Sequence, residues 1–127
     1  MLVAHNILIL FLLFQLKHFV FDWLYQPPWQ YKNKGTYGHW GGLAHSLQHA
    51  IPTFFILFLF CQTTSKTAFG LACIEFSIHY HMDWFKMNVN RWMGWGPTTS
   101  ENFWRWTGFD QLIHQLNYLF IIYMVLP

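Results

Sequence analysis

Charge is what this chain has least of. Asp, Glu, Lys and Arg make up 9% of its 127 residues, against about 25% in soluble globular domains. The surface of a soluble domain cannot be built from that stock. Two cysteines, Cys61 and Cys73, are too few for a disulfide framework and read as ordinary apolar residues. The N-terminus lacks a basic stretch followed by a small-residue cleavage site, so the first apolar segment is expected to stay as a membrane helix. No glycine-rich phosphate loop, nucleophile elbow or nucleic-acid module is visible. A net charge of +2 fits membrane topology and contact with anionic lipids, and no nucleic-acid partner is expected.

What is present is apolar and aromatic. Residues of apolar type make up 54% of the chain, with 14 Phe and 8 Trp, and runs such as Ile7 to Phe14 and Ile51 to Phe60 are broken mainly by His and Asp. Spanning helices need about 20 residues. Four segments fit, roughly 3–25, 39–61, 67–87 and 106–126, and without water to satisfy the backbone they must be helical. The expected fold is therefore all-α: a four-helix transmembrane bundle, with residues 1–127 forming a single integral membrane domain. Pro52 is expected to kink the second helix.

Basic residues set the orientation. The first and third loops carry Lys32, Lys34, Lys86, Arg91 and Arg105, and the opposite side has Lys66. The positive-inside rule then puts those two loops in the cytoplasm and both termini outside, in a bacterial inner membrane. All the Trp residues fall near the cytoplasmic ends, as a one-sided aromatic belt. The third loop, Asn88 to Arg105, is expected to lie on the membrane surface as a lid or an interfacial anchor.

Four pairs of potential metal ligands stand one helical turn apart: His18 and Asp22, His45 and His49, His79 and Asp83, Asp110 and His114. Residues at i and i+4 share a helix face. Each pair lies roughly 6–9 Å inside the cytoplasmic end of its helix, at 1.5 Å per residue, so the four form one layer near the cytoplasmic face. Lys17 lies deeper, near mid-membrane, and needs a partner; Glu75, at similar depth, is the obvious one.

Ionisable groups in spanning helices are costly and read as functional. Packing glue is the bland alternative, but agreement in depth favours a metal site. His18, Asp22, His45, His79, Asp83, Asp110 and His114 are the candidate ligands, with His79, Asp83 and Asp110 nearest the chemistry. His5, His39, His49 and His81 rank lower, as interfacial or hydrogen-bonded groups. Imidazole and carboxylate without thiolate suit a divalent ion, with zinc first and iron or manganese as alternatives. Bis-His haem is disfavoured. Ferritin-like di-iron bundles use Glu-x-x-His, which is absent, as are the adjacent-His boxes of membrane hydroxylases.

An open coordination position would support ester or phosphoester hydrolysis. The substrate would be a lipid or lipid-linked compound in the cytoplasmic leaflet. Membrane lipids are the expected partners, with a membrane protein or a second copy as further candidates. The competing class is a non-catalytic subunit whose polar layer fixes helix packing or docks a partner. A proton path is a third, weakened because the helices are mostly apolar beyond Gln15 and Glu75.

The run His18-Phe-Val-Phe-Asp22-Trp-Leu-Tyr-Gln26, followed by Lys32, His45, His79-x3-Asp83 with Lys86, and Asp110-Gln111-x2-His114, resembles the domain of unknown function 3307. That family comprises small bacterial and phage membrane proteins. Trp23 stands where Phe more often follows the first Asp. The resemblance implies a polytopic membrane fold with the site at these positions, and Gln26, Lys32, Lys86 and Gln111 are expected to support the ligands or contact substrate.

Overall fold

In the computed structural model, which describes residues 2–126, the chain is all-α, with no strand among the described residues. Helix α1 (Leu2–Phe19) runs into a π-helical turn, Val20–Leu24. A short helix α2 (Pro28–Tyr31) follows, opened by Pro28, whose fixed φ and missing N–H suit a first turn. Helix α3 (Trp40–Phe55) contains Pro52 and ends in a second π-helical turn, Ile56–Phe60. The two longest helices are α4 (Ser65–Met93) and α5 (Glu101–Val125).

The boundaries have local causes. The Thr64 hydroxyl caps α4 by accepting from Thr67 N at 3.1 Å, and the Ser100 hydroxyl caps α5 through Asn102 N at 3.2 Å. Gly94 ends α4 at φ 67°, the left-handed region that glycine enters without cost. The expected third loop is thereby corrected. Asn88 to Met93 continue α4, Glu101 to Arg105 already belong to α5, and only 94–100 connect them. A span length drawn from apolarity stops where polar residues begin, whereas the hydrogen-bond ladder runs on to a cap.

Helix α3 packs on α4, α4 on α5, and α1 on both α3 and α5. The interior is divided by polarity along the helices. One end is an apolar core of Leu10, Phe14, Leu57, Ala68, Leu71, Tyr118, Ile121 and Ile122. The other is polar and equally buried, holding His18, His45, His49, His79, Asp83, Asp110 and His114.

The outer faces carry large apolar side chains. Leu8, Leu12, Leu16 and Phe19 form an exposed stripe on α1, and Leu112, Leu116, Leu119, Phe120 and Tyr123 form one on α5. Each follows helical spacing opposite the buried polar residues. Two helical stretches, His5–Leu24 and Trp40–Phe60, are long and apolar enough to cross a membrane. The other two expected spans are diluted by polar residues, α4 by Glu75, Asp83 and Lys86 and α5 by Asp110, Gln111, His114, Gln115 and Asn117. Residues 1 and 127, on which the expected placement of the termini partly bears, lie outside the described residues.

Candidate metal centre

Asp22 sits in the π-helical turn that ends the first long helix. π-Bulges re-aim side chains and recur at functional positions. Here the turn leaves Asp22 facing α3 and α4: its Oδ1 lies 2.9 Å from His49 Nε2, 3.1 Å from His45 Nε2 and 3.6 Å from His79 Nε2. His45 Nε2 and His79 Nε2 are 3.0 Å apart. These four residues bring one donor atom each to a common point.

A second group shares His79 and adds Asp83 and His114. Asp83 Oδ2 lies 3.4 Å from both His79 Nε2 and His45 Nε2. His114 Nε2 stands 3.7 Å from Asp83 Oδ1 and 3.2 Å from Asp110 Oδ1.

The donor set fits a divalent ion on two grounds. Ion–ligand bonds of about 2.0–2.1 Å put neighbouring tetrahedral ligand atoms about 3.3 Å apart, and the separations around Asp22 run from 2.9 to 3.6 Å. Several of the same atoms, Asp22 Oδ1, His49 Nε2, Asp83 Oδ1, Asp110 Oδ1 and His114 Nε2, are buried without a hydrogen-bond partner. They are close to one another yet not aligned as donor and acceptor. Buried polar atoms left in that state are expensive unless something else satisfies them.

Cations close the layer from two sides. Lys86 Nζ lies 2.7 Å from Asp110 Oδ2 and 3.6 Å from Asp83 Oδ1, and Lys34 Nζ lies 2.7 Å from Asp83 Oδ2. Lys34 is delivered by the loop after α2, whose Gly35 carbonyl accepts from Asn88 Nδ2 at 3.0 Å. Helix α2 fits tightly against α3: a Cβ on Gly41 would fall 2.4 Å from the Trp29 carbonyl oxygen. On the apolar side, Lys17 pairs with Glu75 and donates to Thr53 Oγ1 at 2.7 Å and the His49 carbonyl at 3.0 Å. The expected Lys17–Glu75 contact is present.

The expected residues do not all fall where the spacing put them. His45, His79, Asp83, Asp110, His114 and Asp22 converge. His18 stands outside both donor groups: its Nδ1 meets Tyr118 Oη at 2.9 Å, and its Nε2 meets Gln111 Oε1 at 2.7 Å and its expected partner Asp22 at Oδ2, 3.3 Å away. Its place is taken by His49, which the sequence ranks low. Gln111 also donates to Asp22 Oδ2 at 3.3 Å and Asp110 Oδ2 at 3.2 Å. Gln26 reaches only the Asp22 carbonyl, at 3.3 Å. Lys32 is exposed, and Lys34, two residues on, is the buried lysine. The signal that could have found His49 was its own i, i+4 partnership with His45; nothing local distinguished Lys34 from Lys32.

The family described as Protein of unknown function (DUF3307) matches residues 7–127. The chain belongs to that family. No curated protein and no solved structure matches it. Membership carries no activity with it, so for this DUF3307 member the chemistry rests on the donor groups themselves.

Proposed function

We propose that this chain is a membrane-embedded, metal-dependent hydrolase of a lipid or lipid-linked ester. The observation that carries the reading is the convergence of Asp22, His45, His49 and His79 on one point at metal-ligand spacing. In this reading the long helices cross a bacterial inner membrane as a four-helix bundle, with the polar layer near the cytoplasmic face. The exposed leucine stripes on α1 and α5 would then face acyl chains, which removes their cost in water. Trp23, Trp29, Trp40, Trp92 and Trp104, all exposed at the polar-layer end, would sit among head groups.

Asp22, His45, His49 and His79 would hold the ion. A divalent ion there would acidify a water that joins it beside the four protein donors. Asp83 is the base: its Oδ2 lies 3.4 Å from two of the ligand nitrogens. It accepts a proton from water as the water oxygen bonds to the acyl carbon or phosphorus, and returns it to the departing ester oxygen. Lys86 and Lys34 offset charge that develops on the substrate oxygens. His114 and Asp110 hold Asp83 and Lys86 in register.

The competing reading is a non-catalytic polar layer that fixes helix packing, favoured by the Lys17–Glu75–Thr53 network, which locks α1 to α3 and α4 without any ligand. Metal analysis of detergent-purified protein separates the two. Stoichiometric metal in the native chain, its loss in His79→Ala, and its retention without turnover of lipid phosphoesters in Asp83→Ala would support the hydrolase. Metal-free protein prepared without chelators would overturn it, and so would lipid esters left intact by the loaded chain.

A further inference from the structure

The layer contains two donor groups but not the electrostatics for two ions. His79 belongs to both groups; its Nε2 lies 3.6 Å from Asp22 Oδ1 and 3.4 Å from Asp83 Oδ2, and a single nitrogen lone pair serves one ion. If it completes the group with Asp22, His45 and His49, the second group retains only His114 and Asp83, with Asp110 beside His114. Both of those carboxylates are already engaged by ammonium groups. Lys86 Nζ touches Asp110 at 2.7 Å and Asp83 at 3.6 Å, and Lys34 Nζ touches Asp83 at 2.7 Å. The lysine side chains are 15% and 5% exposed, so little solvent screens them from an incoming cation. The structure assigns to Lys34 and Lys86 the position a second metal ion would take, leaving a single-ion centre that accepts an anionic phosphoester; this rests on the metal reading above.

Charge balance leads to the substrate class. With the ligand imidazoles neutral, Asp22, Asp83 and Asp110 bring three negative charges and the two lysines bring two positive ones, and His114, beside Asp83 and Asp110, can only add to the positive side. The Lys17–Glu75 pair cancels itself. One divalent ion makes the layer net positive, and a buried layer in that state favours an anion. A second ion would leave at least three uncompensated positive charges. Geometry agrees: Asp83 Oδ2 stands 3.4 Å from His45 and His79 Nε2 and 2.7 Å from Lys34 Nζ, so one oxygen separates the ion's ligands from the ammonium. A phosphoester head group has oxygens spaced to touch both sides of such a gap. A lipid head group and free phosphate share this chemistry.

The test uses the full chain in nanodiscs, loaded with manganese. One ion per chain, with the electron paramagnetic resonance spectrum of an isolated ion, is expected. Two ions with an exchange-coupled spectrum would overturn the inference while leaving the metal reading intact; no bound ion would overturn both. The Lys34→Met/Lys86→Met variant is expected to take up a second ion, and a folded variant that still binds one would show that the lysines are not what excludes it. Phosphorus resonances near bound manganese broaden. Broadening of inorganic phosphate or of phosphatidylglycerol in the disc is expected, and whichever responds identifies the source. In each single lysine variant it should require about tenfold more phosphate. No broadening of either would overturn the phosphoester assignment, whatever the fate of the double variant.

Discussion

Asp22 Oδ1 has three imidazole nitrogens within 3.6 Å and no hydrogen-bond partner, whereas both nitrogens of His18 are already taken by Tyr118 and Gln111. The two residues began as a matched pair, and their neighbours divide them into a donor and an orienting group. His49→Ala should therefore release metal on desalting. His18→Phe should retain it with affinity about 10–100-fold lower, the usual cost of losing a group that orients ligands. Equilibrium titration with a metal indicator measures both; equal losses would mean that the two histidines do the same job. At this scale the sequence was partly legible. Residue type and spacing brought out Asp22, His45, His79, Asp83, Asp110 and His114. The choices of His49 over His18 and Lys34 over Lys32 depend on contacts between helices, which no local pattern encodes.

Helices α1, α3 and α4 meet at Lys17, where the ammonium pairs with Glu75 and bonds to Thr53 and the His49 carbonyl. Breaking a buried pair from one side strands a charge, at about 3–5 kcal/mol. Lys17→Met should lower stability by that order, and Lys17→Met/Glu75→Leu should recover most of it, as read by denaturant unfolding in mixed micelles. A double variant no better than the single would show that the bonds to Thr53 and His49 dominate. Because Lys17 holds the His49 turn of α3, Lys17→Met is also expected to weaken metal binding. Element positions were readable from apolar runs, and the Lys17–Glu75 pairing from depth alone. The extents of α4 and α5 were not, because capping by Gly94 and Ser100 decides where a helix ends, independently of where apolarity ends.

Across the whole molecule, an apolar core fills one end and the buried His/Asp/Lys layer fills the other. An ion bound only by the folded layer stabilises the fold by mass action, about 2.7 kcal/mol at free metal a hundredfold above Kd. Adding metal to stripped protein should raise the thermal midpoint. Scanning calorimetry with and without chelator checks this; a metal-independent midpoint would count against the centre. The sequence by itself determined that this chain is helical, poor in charge, and furnished with ligand pairs on helix faces, because those properties follow from composition and the period of one helix. Only the tertiary structure decided which donors share a point and which lysines neutralise them. A π-helical turn re-aims Asp22, and a loop held by Asn88 carries Lys34 onto Asp83. Both are consequences of packing between elements, where distances of 3 Å are set by neighbours far apart in the chain.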